Sequence, residues 1–82
     1  MKINLQLTRN GETKTVTANA ADMVAFESKY EVSITELSAK PKMSYLLFLA
    51  WHAEHRMGNT KDKFEDWLND VDTVGAGEEA PK

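Results

Sequence analysis

Ile3, Leu5 and Leu7 alternate with Asn4, Gln6 and Thr8 near the start of the chain. A period of two places the apolar residues on one face of a strand. Asn10-Gly11 follows, and both residue types tolerate the positive φ that a two-residue hairpin loop requires. The return run, Glu12–Ala18, is rich in threonine with one valine. With Asn10-Gly11 as the loop, Arg9 faces Glu12, Leu7 faces Lys14, Leu5 faces Val16 and Ile3 faces Ala18. The apolar face is then Ile3, Leu5, Leu7, Val16 and Ala18. The opposite face carries Asn4, Gln6, Thr8, Thr13, Thr15 and Thr17, which suit water. A lone hairpin is marginal, so residues 2–18 must pack on whatever follows.

The period then changes. Asn19 is placed to cap a helix over about 20–30, in which Met23, Phe26 and Tyr30 share one face. Ser33 and Glu36 have capping-box spacing for a short helix over 34–39. Lys40-Pro41-Lys42 interrupts, because proline disfavours helix in the residue before it. A longer helix is expected over about 42–57. Leu46, Leu47, Ala50, Ala53 and Met57 form its stripe, and Phe48, Leu49, Trp51 and His52 widen it. A helix apolar over so much of its circumference is the central one. Gly58 supplies the left-handed terminator. Thr60 is the expected cap of a last helix over 61–72, with Phe64, Trp67, Leu68 and Val71 on its inner face. Residues 73–82 lack a core-forming pattern and read as a disordered acidic tail. The predicted fold is α+β: an N-terminal β-hairpin packed on a small bundle of three to four helices, one domain over residues 1–72.

Composition narrows the function. Eighty-two residues make one domain. There is no cysteine, so neither a disulfide nor a thiolate metal site can form. The alternating N-terminus lacks the continuous apolar core of a signal peptide. The longest near-apolar run, 45–53, is too short to span a bilayer. Charge is uneven. Residues 1–59 carry seven basic and six acidic side chains, residues 60–82 three basic and seven acidic. No basic stripe is available for phosphates, which disfavours nucleic acid as a partner.

Catalytic residue types do not converge. His52 and His55 are one turn apart, but His-Ala-Glu-His is not the zincin spacing and no third ligand is specified. Ser33, Thr35 and Ser44 are explained by capping and turns. No glycine-rich phosphate loop exists. No catalytic residue, cofactor or metal is expected. The large apolar side chains concentrate instead between Met43 and Val71. Trp51, Phe64 and Trp67 are simplest as core, and an interface role for at least one is the sharper reading, because aromatics are enriched at binding hot spots. The candidate partner-binding residues are Tyr45, Phe48 and Trp51 on the long helix, with Trp67, Asp66 and Asp70 on the last.

The order of motifs resembles a known family. The hairpin with Asn-Gly is followed by Phe26-Glu27, Tyr30 and Val32-Ser33-Ile34-Thr35. Next come Leu49-Ala50-Trp51-His52-Ala53, Arg56 and Gly58, then Phe64-Glu65-Asp66-Trp67-Leu68 and Val71-Asp72. Over roughly residues 20–74 the chain is similar to the small tail assembly chaperones of long-tailed, non-contractile bacteriophages. The resemblance implies a non-enzymatic protein that binds the tape-measure protein, the tail-tube protein or both. It also implies action in the host cytoplasm, absence from the finished virion, and in many members a longer frameshifted form. Self-association is expected of so short a chaperone. The alternative from the residues alone is a small adaptor or inhibitor that binds a host or defence protein through its acidic last helix or a hairpin edge.

Overall fold

The computed structural model describes residues 2–40 and 42–76. Strands β1 (Ile3–Arg9) and β2 (Glu12–Ala18) form the hairpin. Its register pairs Ile3 with Ala18, Leu5 with Val16, Leu7 with Lys14 and Arg9 with Glu12, as the two-residue loop requires. Asn10 and Gly11 turn the chain at φ 52° and 82°. Leu5, Leu7, Val16 and Ala18 are buried. The outer face is tied across the strands by side chains: Gln6 to Thr15, Thr8 to Thr13 and Thr17 to Asn4.

Helix α1 (Ala20–Tyr30) starts at Asn19, whose side chain accepts from the backbone of Ala21 and Asp22. Asp22 returns a bond to the Asn19 N–H and completes a capping box. The helix stops at Glu31, which takes the left-handed conformation at φ 56° without being glycine. Helix α2 (Ile34–Ala39) is capped by Ser33. Helix α3 (Met43–Arg56) crosses the inner face of the sheet with Leu49, Ala50 and Ala53 fully buried. The small side chains of Ala50 and Ala53 let the helix backbone approach the strands. Asn59 N–H bonds to Glu54 O and Gly58 N–H to His55 O, and Gly58 has φ 81°. That is a Schellman terminus, the role expected of Gly58. Met57, expected on the buried stripe, is 47% exposed because the stripe ends one turn earlier.

The C-terminal part corrects the sequence reading. The expected helix over 61–72 is reduced to α4 (Phe64–Trp67) and one 3-10 turn, Leu68–Asp70. Thr60 caps no helix and instead holds a turn through Asp62 N–H. Residues expected to lead into a disordered tail form strand β3 (Val71–Ala76), antiparallel to β1. The sheet is three-stranded, in the order β2-β1-β3. A physical reason lies in β1: without β3 its second edge would carry unpaired backbone groups beside a buried face. The β-branched residues Val71, Thr73 and Val74 suit a strand. The ladder irregularity between Thr8 and Arg9 leaves Asp72 out of register, so it accepts from Gly11 N–H at 3.1 Å. Asp70 pairs with Arg9 at 3.5 Å. Val74 faces Leu7 and is buried. The rest of the expected tail, 77–82, lies outside the described residues. No helix among the described residues is long and apolar enough to cross a membrane.

Candidate functional site

Two constellations stand out, one polar and one aromatic. The polar one joins α1 to α3. Asp22 is fully buried, and its carboxylate faces four donor atoms on three residues. Oδ2 takes the Asn19 N–H at 2.8 Å and an Arg56 guanidinium nitrogen at 2.9 Å. Oδ1 lies 2.5 Å from His52 Nδ1 and 3.2 Å from Arg56 Nε. Burial acts to raise the Asp22 pKa, but the hydrogen bonds from Arg56, His52 and Asn19 together outweigh it and hold the carboxyl below its ordinary range. Arg56 also reaches Thr17 O at the end of β2. This cluster fastens the start of α1 and the last turn of α3 to the hairpin.

Could the same cluster do chemistry? An Asp–His pair is the orienting half of a nucleophilic triad. Here the other partners of His52 are the rings of Phe48 and Trp51 rather than a hydroxyl. His52 and His55 do not converge on a metal either: the described residues contain no group of three or more potential ligands. A second polar staple lies beside it. Glu54 is buried, accepts from Asn59 Nδ2 at 2.9 Å, and has Lys14 Nζ 2.8 Å from Oε1. That ion pair is off the hydrogen-bonding direction. Both clusters explain themselves as fasteners.

The aromatic constellation is open. An exposed groove of about 330 Å³ lies between α1, α3 and α4. Its floor is Phe48, Trp51 and Phe64, packed edge-on and tilted with centroids 5.6–5.7 Å apart. Phe64 continues the ring network to Trp67 at 6.5 Å. The indole N–H of Trp51 donates to Asp62 O at 2.9 Å, which fixes the 59–63 loop along one side. Lys29 stands on the other side, its ammonium 5.6–5.9 Å from the ring centres of Tyr30, Phe48 and Phe64. Lys61 and Lys63 complete the rim. A depression of this kind, apolar beneath and charged at the edge, accepts a side chain or two of a partner.

The structure distributes the sequence candidates unevenly. Phe48 and Trp51 line the groove. Tyr45 is half-buried outside it, between Phe26 and Tyr30 at 5.0 and 4.9 Å. Burial, and then the nearby Tyr45, push the Tyr30 hydroxyl above its ordinary pKa; it donates to Ser44 O. Trp67 is fully buried and belongs to the core. Asp66 is exposed on α4, whereas Asp70 is engaged with Arg9. The groove residues absent from the candidate set are Phe64 on its floor and Lys29, His55, Lys61, Asp62, Lys63 and Glu65 around it. The alternation of Lys61 and Lys63 just before Phe64 was a visible signal; Lys29 had none, because only helix packing brings it there. The Asp22 cluster was half visible, since His52 and Arg56 are four apart on one helix face and Asp22 stands at the third position after Asn19.

The chain matches no protein-family model, and neither a curated protein nor a solved structure is significantly similar to it.

Proposed function

We propose that this protein is a non-enzymatic tail assembly chaperone of a long-tailed phage. It holds the tape-measure protein, the tail-tube protein or both in the host cytoplasm and is left out of the finished virion. The observation that carries the reading is the groove over Phe48, Trp51 and Phe64. A holding protein needs a surface on which apolar segments rest weakly and exchange, and an open floor of rings meets that need. The resemblance of residues 20–74 supplies the identity of the substrate. Three residues of the resembling blocks, Trp51, Phe64 and Glu65, lie on the groove itself.

Co-expression tests this directly. The tape-measure protein of the same phage is expected to move from the pellet to the supernatant when this chain is present, and to co-elute with it. Unchanged solubility with no complex on size exclusion refutes the proposal. The adaptor reading makes a different demand on the acidic end. Asp70 and Asp72 hold the hairpin and Glu65 lines the groove, so charge reversal must be confined to Asp66 to test it without disturbing the fold or the groove.

A further inference from the structure

The groove's charge runs against that of the chain. The protein has a formal net charge of −3. Yet Lys29, Lys61 and Lys63 all line this one depression, with Asp62 and Glu65 as its acidic members. The lysines come from two separate parts of the sequence, the end of α1 and the loop before α4. Their convergence is a property of the packed structure. Lys29 is drawn over the rings of the floor, because a cation is attracted by aromatic faces. The floor offers no free hydrogen-bonding group of Trp51, because its N–H is occupied by Asp62 O. An occupant therefore meets apolar carbon below and ammonium groups at the rim.

We infer that the groove takes an acidic amphipathic segment of the partner. One or two phenylalanine or leucine side chains seat on Phe48, Trp51 and Phe64, and flanking carboxylates meet Lys29, Lys61 and Lys63. The volume, about 330 Å³, is at the lower end for binding pockets and fits anchors rather than a whole helix. Lysines beside aromatics also serve single-stranded nucleic acid. That occupant needs ring faces open for stacking. Here Phe48 meets Phe64 at 80° and Trp51 meets it at 55°, so the floor rings do not lie parallel as a stacking platform. The inference deepens the chaperone reading and rests on it for the partner's role: the acidic segment belongs to the protein being held.

The test uses the full chain and two synthetic amphipathic peptides. Both carry phenylalanine and leucine anchors, one flanked by glutamates and the other by lysines. The glutamate peptide is expected to bind, to shift the indole N–H resonance of Trp51 and to leave that of Trp67 in place. Lys61→Glu with Lys63→Glu, both at exposed positions, should weaken it roughly tenfold or more, and added salt should weaken it further. Equal binding of the lysine peptide overturns the inference, as does unchanged affinity of the double variant or no binding of the glutamate peptide. Binding of oligothymidylate with the same Trp51 shift overturns it too and assigns the groove to nucleic acid. The peptide result decides the groove's chemistry and co-expression decides the function, so the two can fail separately.

Discussion

Asp22→Ala is the substitution with the most structure behind its expected cost. The side chain is fully buried and takes hydrogen bonds from three residues, two of them cationic or able to be so. Hydrogen bonds to charged groups contribute about 1.5–3 kcal/mol each in favourable settings. They do not add here, because one carboxylate serves them all. The freed partners are also partly wet: the side chains of Arg56 and His52 are 30% and 29% exposed and can rehydrate. Loss of the capping-box return to Asn19 adds up to about 1 kcal/mol. A net destabilisation of about 2–4 kcal/mol follows from these terms. For a chain of 82 residues at about 0.05–0.15 kcal/mol per residue, the whole stability is about 4–12 kcal/mol, so the variant keeps little reserve. Urea unfolding followed by tryptophan fluorescence gives the number. The same carboxylate sets a pH dependence. Its pKa is lower in the folded state than the ordinary 3.8, so its contribution is complete above that value and is lost as pH falls through the folded pKa. Wild-type stability should fall below pH 3.8 by this component, and Asp22→Ala should lack it. A variant that loses under about 1 kcal/mol at neutral pH, or whose acid limb matches the wild type, refutes the fastener role.

Four further outcomes are expected. A stop after Asp70 removes β3 with the buried Val74, whose side chain alone contributes about 1.5–3 kcal/mol, and should abolish cooperative melting; a melting temperature within about 5 °C of the full chain is the contrary result. Gly11→Val places a β-branched residue at φ 82° and should cost at least about 1–2 kcal/mol by denaturant midpoint. Glu31→Gly should have the opposite sign, raising stability by up to about 1 kcal/mol, because it relieves the left-handed terminator of α1. Trp67→Phe should cost far less than the roughly 3–5 kcal/mol of Trp67→Ala, read by circular dichroism melts: the buried indole N–H finds no acceptor among the described residues, so its removal offsets part of the lost volume.

The hairpin, its register and the first three helices followed from local rules. A two-residue Asn-Gly loop admits one pairing, and period-two alternation then decides which residues are buried. Asn19, Ser33 and Gly58 act at helix ends within a few residues of themselves, so their roles were legible without knowing the fold. The last segment went the other way. Phe64, Trp67, Leu68 and Val71 have helical spacing, and nothing local says that Val71 leaves it. What decided the matter is β1, some sixty positions earlier, whose open edge offers more pairing than one further helical turn. The groove divides along the same line. Phe48 and Trp51 of its floor were visible as an aromatic surplus on the long helix, because apolar side chains beyond those a small core uses must face something; Phe64 was expected on the inner face of the last helix. Its rim was not.

The sequence by itself determined the α+β class, the hairpin register, the capped helices and the absence of cysteine chemistry. Only the tertiary structure decided that the chain closes with a strand, that Trp67 is core while Trp51 is on the groove, and that Asp22 binds Arg56 and His52. The physical reason is range. Capping, turns and side-chain periodicity act over a few residues and leave a mark at each position. Strand addition, a buried ion cluster and the convergence of Lys29 with Lys61 and Lys63 bring together distant positions, none of which carries the mark alone.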